Sequence, residues 1–224
     1  MVKDAGISPS AFYNNLKLSK ENSILLKTER NERLRMKAID LPQVHGDRII
    51  TDCRRLLKHK NKYMRLIAVA GLTGRRTVEI LRTMKFNQPY EDHSELNDYW
   101  CLVTGVAKQK NGEIVREVPF FEKRETLKKK IKVLRKEFPT DCNRDVNALY
   151  AKQISNYMKD YCSVIGNIHS FRRFYVLMCY KYFNDRNCSI ARIASDYLGH
   201  KTMGSTLISY LSFNVKTEDH ISFP

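Results

Sequence analysis

The chain has 224 residues, 42% of them hydrophobic, enough for one substantial domain with a real core and part of a second. Lys and Arg outnumber Asp and Glu by 40 to 24, giving a formal charge of +16, which suits a polyanionic partner: nucleic acid first, an anionic membrane surface as the rival. No apolar run approaches the ~20 residues of a membrane span, and the opening MVKDAGISPS lacks the apolar core of a signal peptide. The composition therefore predicts a soluble intracellular protein with no membrane partner.

The cysteines, Cys53, Cys101, Cys142, Cys162, Cys179 and Cys188, are scattered, with no C-x-x-C pair and no zinc-finger spacing. They read as reduced, mostly buried thiols. The closest Cys–His approach is Cys53 to His59, and neither a metal nor a cofactor is expected.

Residues 8–40 carry helical signals, from a Ser8-Pro9-Ser10 start through charged residues to Arg35. The run GISPSAFYNNLK has some of the look of a helix-turn-helix recognition segment. Pro42 to Gly46 interrupt the pattern, which divides the chain into a basic helical arm over 1–45 and a main domain over 46–224.

From Ile49 apolar residues recur at helical spacing, and Gly71 and Gly74 are read as breaking the stretch into two helices. Arg75 and Arg76 then fall near a helix start, where backbone N–H groups and two guanidiniums together make a phosphate seat; the plainer alternative is a solvated basic face. Tyr99 to Thr104 and Ile114 to Phe121 are rich in aromatic and β-branched residues, and Asn111-Gly112 between them is a tight-turn dipeptide, so they pair as a hairpin with Lys108 and Lys110 near its tip.

Residues 122–137 form a charged helix whose Leu127, Ile131, Leu134 and Phe138 make a narrow apolar stripe. One or two helices follow over 143–165. Ile168 to Phe183 is strongly apolar and must be buried, yet it begins with His169, Arg172 and Arg173. A buried guanidinium is costly unless paired; a phosphate cleft or a structural partner would resolve the cost. Ser189 caps a helix that stops at Gly199, leaving His200 just past its end, and Thr202 to Phe213 reads as a last short helix bearing Tyr210.

An Arg and two His ahead of a lone Tyr are what metal-free cleavage of a phosphodiester requires: cationic donors around the phosphate and a phenol oxygen to attack it. TGRRTVEIL, the hairpin with TGVAKQK, HSFRRFY, LGH and the following Tyr occur in the order seen in the catalytic domain of tyrosine recombinases. The resemblance spans residues 50–213 and implies a mainly α fold with a small antiparallel β-sheet. Carried over, it makes Arg76 and Arg172 the catalytic arginines, Lys108 the hairpin lysine, His169 and His200 the histidines and Tyr210 the nucleophile. Glu79 matches an acidic supporting position, while Arg75, Lys110 and Arg173 become phosphate neighbours.

Within the superfamily, T-G-R-R, T-G-V-A-K-Q-K and H-S-F-R-R-F-Y look most like telomere resolvases, also called protelomerases. That branch implies double-stranded DNA with a palindromic site as partner, a homodimer on the DNA, hairpin ends as product and a location with the host cell's DNA. A strand-exchanging recombinase or integrase is the alternative, followed by a type IB topoisomerase and a DNA-binding protein that no longer cuts.

Overall fold

The computed structural model describes residues 19–37, 43–106, 115–161, 165–184, 187–199 and 214–217. The chain separates into two units, Met1–Leu41 and Pro42–Pro224. In the first, helix α1 spans Lys20–Lys37. Ser19 starts it, its Oγ accepting the Asn22 N–H at 3.1 Å. The segment GISPSAFYNNLK lies outside the described residues.

In the second unit everything is organised around one helix. α2 spans Gly46–Leu56 and α3 spans Lys62–Thr73. Every residue of α3 from Leu66 to Thr73 is buried, so it is enclosed on all sides rather than amphipathic. Around it pack α2, α4 (Arg124–Glu137), α5 (Asn143–Tyr161) and α6 (Ser170–Tyr182). α7 (Ile190–Leu198) packs on α6. The stripe expected on α4 does this work, with Leu127, Ile131, Leu134 and Phe138 all in the core.

The break between α2 and α3 is earlier than the glycines suggested. It falls over Leu57 to Asn61, where His59 Nδ1 accepts the Asn61 N–H and Asn61 Oδ1 caps α3 by accepting the Tyr63 N–H at 2.8 Å. Gly71 lies inside α3, where a Cβ would meet Cys53 Sγ at 2.7 Å, so it serves close packing. Gly74 alone ends the helix.

A three-stranded antiparallel sheet, β2 (Lys85–Asn87), β3 (Trp100–Thr104) and β4 (Arg116–Pro119), has β3 at its centre. Cys101 pairs with Val118 and Phe86 with Val103, placing the expected hairpin in register and adding the short β2 to it. A second, parallel pair joins β1 (Gln43–His45) to β5 (Asn214–Lys216), with Val44 opposite Val215. The fold is mainly α with a small antiparallel sheet, to which this parallel pair is an addition.

Candidate active site

The centre is built where α3 ends. Gly74 takes a left-handed conformation (φ 62°), and a Cβ there would fall 2.5 Å from the Tyr175 ring. After this sharp exit the two arginines diverge. Arg75 turns inward and is 1% exposed, its Nε donating to Thr73 O at 3.2 Å and its Nη2 to Tyr197 O at 2.6 Å. Expected beside a DNA phosphate, Arg75 has its guanidinium enclosed in the structure, with Nε and Nη2 given to two carbonyls.

Arg76 stays partly accessible, with a side chain 22% exposed. Its backbone N–H donates to Glu79 Oε2 at 3.0 Å and its Nη1 to Oε1 at 2.7 Å. The Glu79 side chain is fully buried, and Arg172 Nη1 stands 3.5 Å from Oε2. One carboxylate therefore joins the two arginines that the motifs singled out, although 96 residues separate them in sequence. Arg172 itself is buried and also donates to Gly74 O at 2.8 Å and Leu198 O at 3.3 Å. The cost of its burial is met by a carboxylate and two carbonyls inside the protein.

The electrostatics follow. Burial pushes the Glu79 carboxyl upward, but Arg172, Arg75, the Arg76 N–H and the Arg76 charge together outweigh it and hold the group below its ordinary value. Three guanidiniums acting on one carboxylate leave an excess of positive charge that a phosphate would neutralise. Glu79 also opens a single π-turn over Glu79–Thr83, closed by Met84 N–H to Glu79 O at 2.9 Å. Arg135 of α4 braces it, donating to Ile80 O at 3.0 Å and Met84 O at 2.5 Å.

His169 sits at the N-terminal boundary of α6, exposed, with its carbonyl accepting the Arg172 N–H at 3.2 Å. Asn167 supplies the cap there, its Oδ1 accepting the Ser170 N–H at 3.0 Å. Arg173 is half-buried on α6. Lys108, Lys110, His200 and Tyr210 lie outside the described residues, as do Asn111-Gly112 and the helix expected over 202–213. Their flanks are placed: Val106 follows β3, Gly199 ends α7 and Asn214 opens β5.

Sequence reasoning missed Arg116 on β4, whose Nη1 donates to Ser195 O at 3.0 Å and Asp196 O at 2.9 Å at the end of α7. Nothing local signals it, since its acceptors lie 79 and 80 residues away. Nearby, a cleft of about 400 Å³ is lined by Glu91, His93, Trp100, Glu117, Asp196 and Tyr197 among others. Its three carboxylates make it a poor seat for a phosphate. Trp100 and His93 are stacked there at 3.8 Å, and His93 is hydrogen-bonded to Glu117 at 2.7 Å.

Residues 40–213 match the family model for the telomere resolvase ResT/TelK catalytic domain. The chain belongs to this family. As a telomere-resolvase catalytic domain it is a DNA breaking and rejoining enzyme of the tyrosine recombinase type. Solved structures agree in fold. A variant of protelomerase TelA covalently complexed with substrate DNA superposes with a TM-score of 0.75 at 19% identity, over 89% of this chain and 68% of that one. Selenomethionine protelomerase TelA, also covalently complexed with substrate DNA, gives 0.73 at 20% identity over the same shares. Protelomerase TelK complexed with substrate DNA gives 0.69 at 16% identity, covering 92% of this chain but 43% of that one. No curated protein sequence matches the chain.

Proposed function

We propose that this telomere-resolvase domain binds double-stranded DNA at a palindromic site as a homodimer and converts it into two covalently closed hairpin ends. The observation that carries the residue-level reading is the buried Glu79 carboxylate, which holds Arg76 and Arg172 within one cationic centre. In this reading Tyr210 Oη attacks the scissile phosphorus and the P–O5′ bond breaks, leaving a 3′-phosphotyrosine and a 5′-hydroxyl. Lys108 gives its proton to the departing O5′ as general acid. Arg76, Arg172 and His200 hold the nonbridging oxygens and stabilise the charge that gathers on them in the transition state. His169, one helical turn ahead of Arg172, assists as a donor.

The second step reverses the first. A 5′-hydroxyl attacks the phosphotyrosine, the phenol leaves, and the bond energy held in the protein–DNA linkage reseals the strand without ATP. Resealing to the opposite strand of the same end makes a hairpin. Lys110 and Arg173 contribute salt-dependent affinity as phosphate neighbours.

The test is incubation with the palindromic junction DNA of the protein's own replicon, without metal or ATP, read on a denaturing gel beside Tyr210→Phe. Snap-back hairpins that vanish in the variant are expected. Covalent adducts with strand exchange and no hairpins would move the assignment to an integrase-type recombinase. Hairpins undiminished in Tyr210→Phe would overturn the nucleophile.

A further inference from the structure

The C-terminus of α7 is completed by arginines from elsewhere in the chain. A helix leaves its last four carbonyls without intrahelical partners, here those of Ser195, Asp196, Tyr197 and Leu198. Gly199, in the left-handed region at φ 75°, answers part of the need by returning its N–H to Ala194 O and Ser195 O. Guanidiniums answer the rest. Arg116 Nη1 spans Ser195 O and Asp196 O at 3.0 and 2.9 Å, Arg75 Nη2 takes Tyr197 O at 2.6 Å, and Arg172 Nη2 reaches Leu198 O at 3.3 Å. Three cations from three different parts of the chain thus meet the negative end of one helix dipole.

Arg75 and Arg172 already belong to the centre around Glu79. Arg116 does not. It comes from β4, the second strand of the hairpin, and it sits against the point where the chain leaves α7: a Cβ on Gly199 would lie 2.7 Å from its Nη2. Its Nε is buried and has no hydrogen-bond partner among the described residues. Burial, and then the neighbouring charge of Arg75, depress its pKa, so the protein keeps a cation here against an electrostatic penalty.

We propose that Arg116 is a positioning residue for strand cleavage, clamping the last turn of α7 to β4 and so fixing the backbone from which His200 departs. This rests on the catalytic reading of His200 given above. Arg116 acts through the Ser195 and Asp196 carbonyls and does not touch the phosphate.

The test is single-turnover cleavage of the palindromic duplex at saturating DNA, with DNA affinity and thermal midpoint measured on the same preparations, for Arg116→Met, His200→Ala and the double variant. Arg116→Met is expected to cleave ten- to a hundredfold more slowly with affinity within threefold of wild type. In the His200→Ala background the same substitution is expected to cost less than threefold, because the group it positions is gone. Arg116→Lys keeps the cation but not the bridge of two carbonyls; it serves if the Met variant does not fold, and is expected to be at least fivefold slow. An unchanged rate, a loss explained by affinity, or an undiminished defect in the His200→Ala background would overturn the proposal. His200→Ala cleaving at the wild-type rate would overturn the catalytic reading as well, which separates the two failures.

Discussion

Two regions of this protein are basic in sequence and opposite in physics. α4 exposes Lys128, Lys129, Lys132 and Lys136 along one side, and among these Lys128 alone has a recorded ion pair, with Glu125 at 3.7 Å. Each ammonium there keeps its water, while the stem covers apolar surface. Around Glu79, by contrast, Arg75 and Arg172 have been taken out of water and share one helix end, while Arg172 and Arg76 share one carboxylate. Along this lysine side of α4 the charges are independent and replaceable. At the centre each depends on the others, so positive charge read from a sequence says little until burial and partners are known.

The contrast is tested most severely by Glu79→Gln. Removing one partner of a buried charge pair costs about 3–5 kcal/mol, and the urea midpoint should fall accordingly; a loss under about 1 kcal/mol would break the distinction. The sign of the pH dependence follows from the lowered carboxyl. Glu79's contribution is complete above its ordinary value of 4.5 and is lost as pH falls through the lower folded value. The acid limb of the stability profile should therefore be shallower in Glu79→Gln.

Next in size is Arg76→Ala. Losing one donor to the transition state is expected to slow formation of the covalent adduct by about a hundredfold or more, with most DNA affinity retained. Arg75→Met should behave differently. It leaves the Tyr197 carbonyl without its guanidinium and costs about 1–3 kcal/mol of stability, while the salt dependence of DNA binding stays as in wild type; a shallower salt slope would return Arg75 to the phosphate. Smallest of all, Lys128→Ala and Lys132→Ala should each shift stability by no more than about 0.5 kcal/mol and add when combined, as calorimetry can show.

Much of this was legible from local chemistry. Ser189 caps α7, its side chain accepting the Arg192 N–H, and Gly199 ends it in the left-handed region, as their residue types indicate. The stripe on α4 and the pairing of β3 with β4 follow from periodicity and from the aromatic and β-branched content of the strands. The misses have physical causes. β1, β2 and β5 have three residues each, too short for an alternating pattern to register. Arg75 and Arg76 are the same residue type side by side, and only the backbone turn at Gly74 decides which is enclosed. Arg116 declares itself solely through acceptors brought near by the fold.

The parallel pair of β1 and β5 has a mechanical consequence. Val215, five residues beyond Tyr210, is held beside Val44, and upstream the chain is anchored where α7 ends at Gly199. If DNA is joined to Tyr210 during the reaction, a pull on that DNA is carried into the domain by both arms of the chain. Downstream the load reaches β5, which is paired in parallel with β1. On that reading the covalent intermediate would be moored at two points while its strands are rearranged.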